Sequence, residues 1–176
     1  MNAALGLSGF FSEYSRFISL FTVTPLIIFS VTFAVSPRVR AWALAFDTRT
    51  LVSFQAIRVG GIAFLAAYAV GKLNGTFALW AGLLDAAVGF SALFAAHYLT
   101  PTRTAKQRGL LIAWMAAGIL DFVVAIPLAL IARINDPASM VALAIPPLSV
   151  ITAYFVPLAL IDYFILGAQL WQRKDD

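Results

Sequence analysis

Along this chain the apolar positions fall into long blocks, and the polar positions collect in the short stretches between them. Five apolar segments can be marked off by their polar flanks, at about 17–36, 51–70, 77–99, 110–131 and 146–171. A crossing of a hydrocarbon core roughly 30 Å thick takes about 20 apolar residues in a helix, so the chain length suits five spans with short connections. The connections carry turn signals. Asn74-Gly75 predicts a tight turn between the second and third spans, making them a helical hairpin. Asn135-Asp136-Pro137 does the same after the fourth, and Pro137 favours the start of a new helix. The apolar stretch Ala138–Ile145 is too short to cross, and Pro146-Pro147 interrupts it. Two readings follow: an interfacial or re-entrant piece before the fifth crossing, or one long tilted helix.

Ahead of the first span, Leu5–Tyr14 places Phe10, Phe11 and Tyr14 beside Glu13. This predicts a short amphipathic segment at headgroup level. It lacks the basic leader of a secretory signal, so the first apolar block is expected to stay as a span. The expected fold is an all-α, polytopic integral membrane helix bundle of about five transmembrane helices, forming one transmembrane domain over residues 1–176. An interfacial N-terminal segment and a proline-broken segment before the last helix complete it.

Composition agrees and narrows the chemistry. Of the 176 residues, 62% are hydrophobic and 11% charged, and the mean hydropathy is +0.92, which excludes an ordinary soluble domain. No polar stretch is long enough for a soluble catalytic domain. The formal net charge is +4. Its basic residues sit between apolar blocks rather than along one face, which argues against nucleic acid. With no Cys there is no disulfide framework, thiolate nucleophile or Cys-ligated metal, and with one His (His97) one chain has no bis-His haem site. No metal and no cofactor is expected.

The loop charges set an orientation. Arg38, Arg40, Arg49, Arg103, Lys106, Arg108, Arg173 and Lys174 lie on one side of the spans, against Arg16, Lys72 and Arg133 on the other. The positive-inside rule then puts the first and third loops and the C-terminus in the cytoplasm, and the N-terminus outside. Trp42, Tyr98 and Trp171 fall at the expected inner boundary.

Four ionisable residues remain inside the spans: Arg58, Asp85, Asp121 and Asp162. Each costs about 2.5–3.5 kcal/mol at the centre of a membrane helix, so they are expected to face the bundle interior. Counting depth at about 1.5 Å per residue predicts that Arg58 pairs with Asp162, and that Asp85 meets Asp121 near midplane. Depth alone leaves Arg58 within reach of Asp85 or Asp121 as well. Gln55, one turn from Arg58, is expected to orient its guanidinium. Three carboxyls against one arginine, which does not deprotonate, require at least one carboxyl to be protonated or balanced by a bound cation. The core is thus a candidate proton or cation site; buried Arg–Asp bonds that only fix helix packing are the plainer reading.

A repeat singles out two of the carboxyls. Ala81-Gly82-Leu83-Leu84-Asp85 and Ala117-Gly118-Ile119-Leu120-Asp121 recur on consecutive, oppositely directed helices. Inverted repeats of this kind build many transporter sites at midplane. Gly82 and Gly118, with Gly89 and Ala125, would let these two helices approach closely. Gly60-Gly61 beside Arg58 permits a close contact or a kink. Tyr68, Trp114 and Tyr154 are candidate cavity or packing aromatics, and His97 is an interfacial side chain with a possible pH response. Pro25, Pro127 and Pro157 are expected to kink their helices.

The segment Phe77-Ala78-Leu79-Trp80-Ala81-Gly82-Leu83-Leu84-Asp85, with Arg58 on the preceding helix and Gly118-Ile119-Leu120-Asp121 on the next, resembles an uncharacterised bacterial family of multi-span membrane proteins. In that family a Phe-Ala-x-x-Ala-Gly-x-x-Asp stretch occupies this place. The resemblance implies the bacterial cytoplasmic (inner) membrane and no assigned activity.

Two functions compete. One is a transporter or channel-like protein moving protons or a small cation or solute through the Arg/Asp core. The other is a non-catalytic membrane subunit or assembly factor whose polar core is structural. An enzyme is the weaker expectation. Asp85 and Asp121 lack the Tyr-Asp and Gly-x-Gly-Asp settings of intramembrane aspartyl proteases, and Gly6-Leu7-Ser8-Gly9 is no serine-hydrolase elbow. The expected partners are the lipid bilayer and a homo-oligomer or larger membrane complex.

Overall fold

The structure, a computed structural model, describes residues 18–172, so the predicted amphipathic segment Leu5–Tyr14 lies outside the described residues. Six helices follow one another: α1 (Ile18–Val35), α2 (Pro37–Leu44), α3 (Thr48–Ala69), α4 (Gly75–Leu99), α5 (Ala105–Asn135) and α6 (Leu148–Gln172). No strand occurs among the described residues. Four of these helices, α3 to α6, are long and apolar enough to cross a membrane, and the count reaches five with the bent pair α1–α2.

Local chemistry sets the helix ends. Ser36 and Pro37 stop α1 and start α2 at a bend of 108°, and Arg40 Nη2 donates to the Ala34 carbonyl (2.7 Å) at the open end of α1. A proline at a first helical position loses no hydrogen bond there, whereas in mid-helix it breaks one. The loop charges predict a plain connection here; the structure makes Pro37–Leu44 a helix instead. Asp47 caps α3, its Oδ2 accepting from Thr50 N at 2.9 Å, and Asn74 caps α4 in the same way. Thr104 and Gln107 form a reciprocal capping box at the head of α5. Gly71, with φ of +70°, supplies the left-handed residue of the α3–α4 turn.

After α5, Asp136 caps a 3₁₀ helix over Pro137–Ala144, as the Asn-Asp-Pro signal predicts. At about 2.0 Å per residue this piece is roughly half a bilayer long. It is tied to the α3–α4 turn by Asn74 N donating to the Ser139 carbonyl (3.1 Å), and it turns at Pro146-Pro147 into α6. Of the two readings of the prolines, the broken segment is the one observed.

Large apolar side chains cover the outside of the bundle; Ile27, Val31, Leu83, Phe90, Leu93, Leu120 and Val123 are all exposed. Water would penalise such a surface, and lipid does not. Inside are two apolar clusters. One gathers Leu51, Val52, Leu111, Ile165 and Leu166 towards the start of α3. The other gathers Phe64, Phe77, Met140, Leu143 and Ile151 towards its end. Trp42, Tyr98 and Trp171 are exposed on α2 and at the ends of α4 and α6.

Helices α3 and α6 run antiparallel in a register marked by polar pairs. Thr48 Oγ1 bonds Gln169 Oε1 (3.0 Å), and Gln55 Nε2 donates to Asp162 Oδ2 (2.6 Å), seven residues along on each helix. Gln169 Nε2 also donates to the Phe46 carbonyl (2.7 Å). Leu51, Val52, Ile165 and Leu166 fill the layer between the two rungs. Both helices leave α geometry where they face each other further on: α3 tightens to 3₁₀ over Gln55–Gly61, and α6 widens to π over Ile151–Phe155.

Candidate functional site

Arg58 stands in the 3₁₀ stretch of α3, between the two apolar clusters, and is 4% exposed. Its guanidinium is the hub of the bundle. Nε donates to Asp85 Oδ1 of α4 at 2.6 Å, and Nη2 donates to Asp121 Oδ2 of α5. Nη1 donates to the Gly118 carbonyl and to Tyr163 Oη, each at 3.1 Å. The Phe122 ring lies 4.3 Å from the guanidinium carbon, within cation–π range. A planar fork that binds two carboxylates and a ring face is chemistry that lysine lacks.

The pairing differs from the one that depth predicted. Arg58 holds Asp85 and Asp121 together, and Asp162 pairs with Gln55 instead. The cause is the start of α3. Asp47 begins the helix at Thr48, three residues before the apolar block, which sets Arg58 about 4.5 Å deeper, level with the two repeat carboxyls. Asp162 then lies a turn away, opposite Gln55. Gln55 does not orient the guanidinium; its amide serves Asp162 and the Ala159 carbonyl (3.2 Å). Among the described residues Arg58 makes both ion pairs, and no cluster of His and carboxylate side chains is placed to hold a metal.

The repeat glycines also act differently from the expectation. Gly82 and Gly89 of α4 bring that helix against α3 rather than against α5. A Cβ on Gly82 would meet Leu65 at 2.7 Å, and one on Gly89 would run into the Val59 backbone nitrogen. Gly118 makes room for the site itself, since a Cβ there would strike Tyr163 Oη and lie 3.0 Å from Arg58 Nη1. Gly61 admits the Asp85 side chain in the same manner. Tyr163 and Phe122 were missed in the sequence, although each sits beside a singled-out carboxyl, at Asp162 and Asp121. His97, by contrast, lies at the far end of α4, with its Nδ1 3.3 Å from Arg49 Nη2.

One side of the hub is hollow. A cavity of about 550 Å³ is bounded by Asp85 and Asp121 at one end and reaches Arg133 and Pro137 at the other. Phe64, Phe77, Ala81, Phe122, Ala125, Met140 and Leu143 line it, with Thr22 and Val23 of α1. From Asp121 to Arg133 along α5 the depth is about 18 Å. Tyr68, Trp114 and Tyr154 do not line this cavity; Trp114 Nε1 donates to Ser91 Oγ (2.9 Å), and Tyr154 packs on Phe155. The other side of the hub is filled by the Gln55–Asp162 rung and the Leu51/Val52/Ile165/Leu166 layer.

The charge balance of the hub is uneven. Two carboxylates meet one guanidinium, a formal charge of −1 in a region almost closed to water. Asp121 Oδ1 is buried with no hydrogen-bond donor among the described residues. A proton on the carboxyl pair or a cationic guest is what such an arrangement accepts.

A family model described as a domain of unknown function, DUF8737, matches residues 16–170. The chain belongs to that family. No curated protein and no solved structure matches it.

Proposed function

From membership in a family without an assigned activity, we propose that this chain is a small membrane transporter that moves protons or a small cation or solute past the Arg58–Asp85–Asp121 hub. The cavity that ends on the two carboxyls carries this reading. A polar core that only fixed helix packing would be expected to close around its ion pairs, because an empty volume forfeits dispersion contacts on every wall. The hub lies near the middle of α3, α4 and α5, with a hollow on one side and a packed layer on the other. An alternating-access carrier in one of its two states has this shape. The eight-to-three distribution of basic loop residues supports a bacterial inner-membrane orientation with the N-terminus outside and the C-terminus cytoplasmic. The cavity then opens towards the outer face, the side of Lys72 and Arg133.

Purified protein in liposomes should support a pH-dependent flux that Asp85→Asn or Asp121→Asn abolishes. A folded protein without flux would return the chain to the second reading, a membrane subunit or assembly factor. That reading is favoured by one observation: Arg58 already engages two carboxylates, a carbonyl, a hydroxyl and a ring.

A further inference from the structure

Below its rim the cavity offers a guest no polar side chain to bond. The two threonines in its wall are bonded within the protein: Thr22 Oγ1 donates to the Thr152 carbonyl (2.8 Å), and Thr152 Oγ1 donates to the Leu148 carbonyl (3.2 Å). At the floor Asp85 and Asp121 are turned to Arg58 and are 7% and 1% exposed. A polar guest would strand its own groups there, so what fills the volume is apolar. The hollow also opens sideways. Helix α1 packs on α6 and its π stretch rather than on α5. In the gap, Val23 of α1 and Ile126 and Leu130 of α5 line the cavity and are also exposed, continuing the lipid-facing surface of Ile27, Val123 and Ile134. Hydrocarbon therefore reaches the cavity from the side, without passing through water. The shaft from Asp121 to Arg133 is about 18 Å deep, close to one leaflet of a core roughly 30 Å thick. Arg133 stands at its rim, where the headgroups of that leaflet begin. A guanidinium has five N–H donors, so Arg133 can take an anionic oxygen while keeping its contact within the protein.

We infer that the cavity is a lipid site: one acyl chain of an anionic phospholipid enters between α1 and α5, runs down the shaft to the carboxyl floor, and leaves its phosphate on Arg133. This goes beyond the transport reading and does not rest on it. In a membrane the chain fills the hollow, and a solute bound for the hub has to displace it.

The test uses the full chain in nanodiscs of phosphatidylglycerol and phosphatidylcholine in equal parts, doped with either lipid carrying a photoactivatable diazirine at the end of one chain. After irradiation the labelled residues are mapped by peptide mass spectrometry. Label is expected at the floor, on Ala81 and Phe122, as well as on the outward Leu120 and Val123. Floor label should be about fivefold greater from the anionic probe, the contribution of one basic side chain to an anionic lipid, and Arg133→Gln should bring the two probes level. Ala125→Phe fills the shaft and should remove floor label while outward label persists, the sign of a folded protein in the bilayer. Ala129→Phe, nearer the rim, should do the same. Label confined to outward residues in the wild-type protein would overturn the inference, as would floor label that neither phenylalanine substitution removes. Equal floor label from both probes would overturn the placing of the phosphate on Arg133. A disulfide between two Leu130→Cys copies, with no floor label, would give the opening to a second copy of the chain instead. Floor label without flux in liposomes would uphold the lipid site and sink the transport reading; flux without floor label would do the reverse.

Discussion

Replacing Arg58 with methionine keeps most of the side-chain length and removes the charge. The substitution deletes the Nε bond to Asp85, the Nη2 bond to Asp121, two bonds from Nη1 and the stacking on Phe122. Removing one partner of a buried ion pair costs about 3–5 kcal/mol, because the other charge is left unpaired. Here two carboxylates lose the same partner, so Arg58→Met should sit at the upper end, near 5 kcal/mol. That loss is comparable to the whole stability of many domains. Unfolding titrations in mixed micelles would read it, with Arg58→Lys as a milder control that keeps the charge without the fork. The partner identity comes from double-mutant cycles. Arg58→Met with Asp121→Asn, or with Asp85→Asn, should recover about 2–3 kcal/mol of coupling, whereas Arg58→Met with Asp162→Asn should be nearly additive. Coupling to Asp162 as large as that to Asp121 would refute the hub geometry, and a loss below about 1 kcal/mol for Arg58→Met would refute its role as the central counter-ion.

Three further outcomes are expected. Gly89→Ala drives a methyl group into the α3 backbone at Val59 and should cost about 1–3 kcal/mol, while Gly109→Ala, which meets nothing within 4 Å, should stabilise α5 by about 0.5–1 kcal/mol in the same unfolding assay. Thr48→Val removes the hydroxyl that bonds Gln169 and should cost about 1–3 kcal/mol, visible as a lower midpoint with no change in flux. Reporter fusions at Asp176 and in the Lys72 turn should give opposite signals, and equal signals would overturn the span count and the orientation together.

Much of the fold was legible because lipid demands uninterrupted apolar runs, and polar punctuation between them is hard to misread. Asp136 and Pro137 act where their chemistry said they would, whereas Asn74 caps α4, Gly75 is its first helical residue, and the turn itself is made at Gly71. The pairing of Arg58 was misjudged through one local detail, the cap at Asp47, which starts α3 in sequence that still looks like loop. The two Asp residues of the repeat do converge, but the glycines beside them serve α3, because a repeat reveals equivalence and not which neighbour each face meets. The cavity left no trace in the sequence. Its lining comes from six separate segments, and apart from Asp85, Asp121, Arg133 and two threonines each lining residue is an ordinary apolar side chain whose neighbours leave space.

The matched polar rungs between α3 and α6 decide which motions the bundle can make. Sliding one helix along the other by a turn would leave Gln55, Asp162, Thr48 and Gln169 facing hydrocarbon side chains, at about 1–3 kcal/mol for each polar group left unbonded. Moving the two helices together as one body costs far less, because it keeps both rungs closed. Helices α3 and α6 therefore behave as a single rigid strut that tilts but does not piston. Any change that closes the hollow on one side and opens the packed side has to come from α1, α5 and the 3₁₀ segment swinging against that strut.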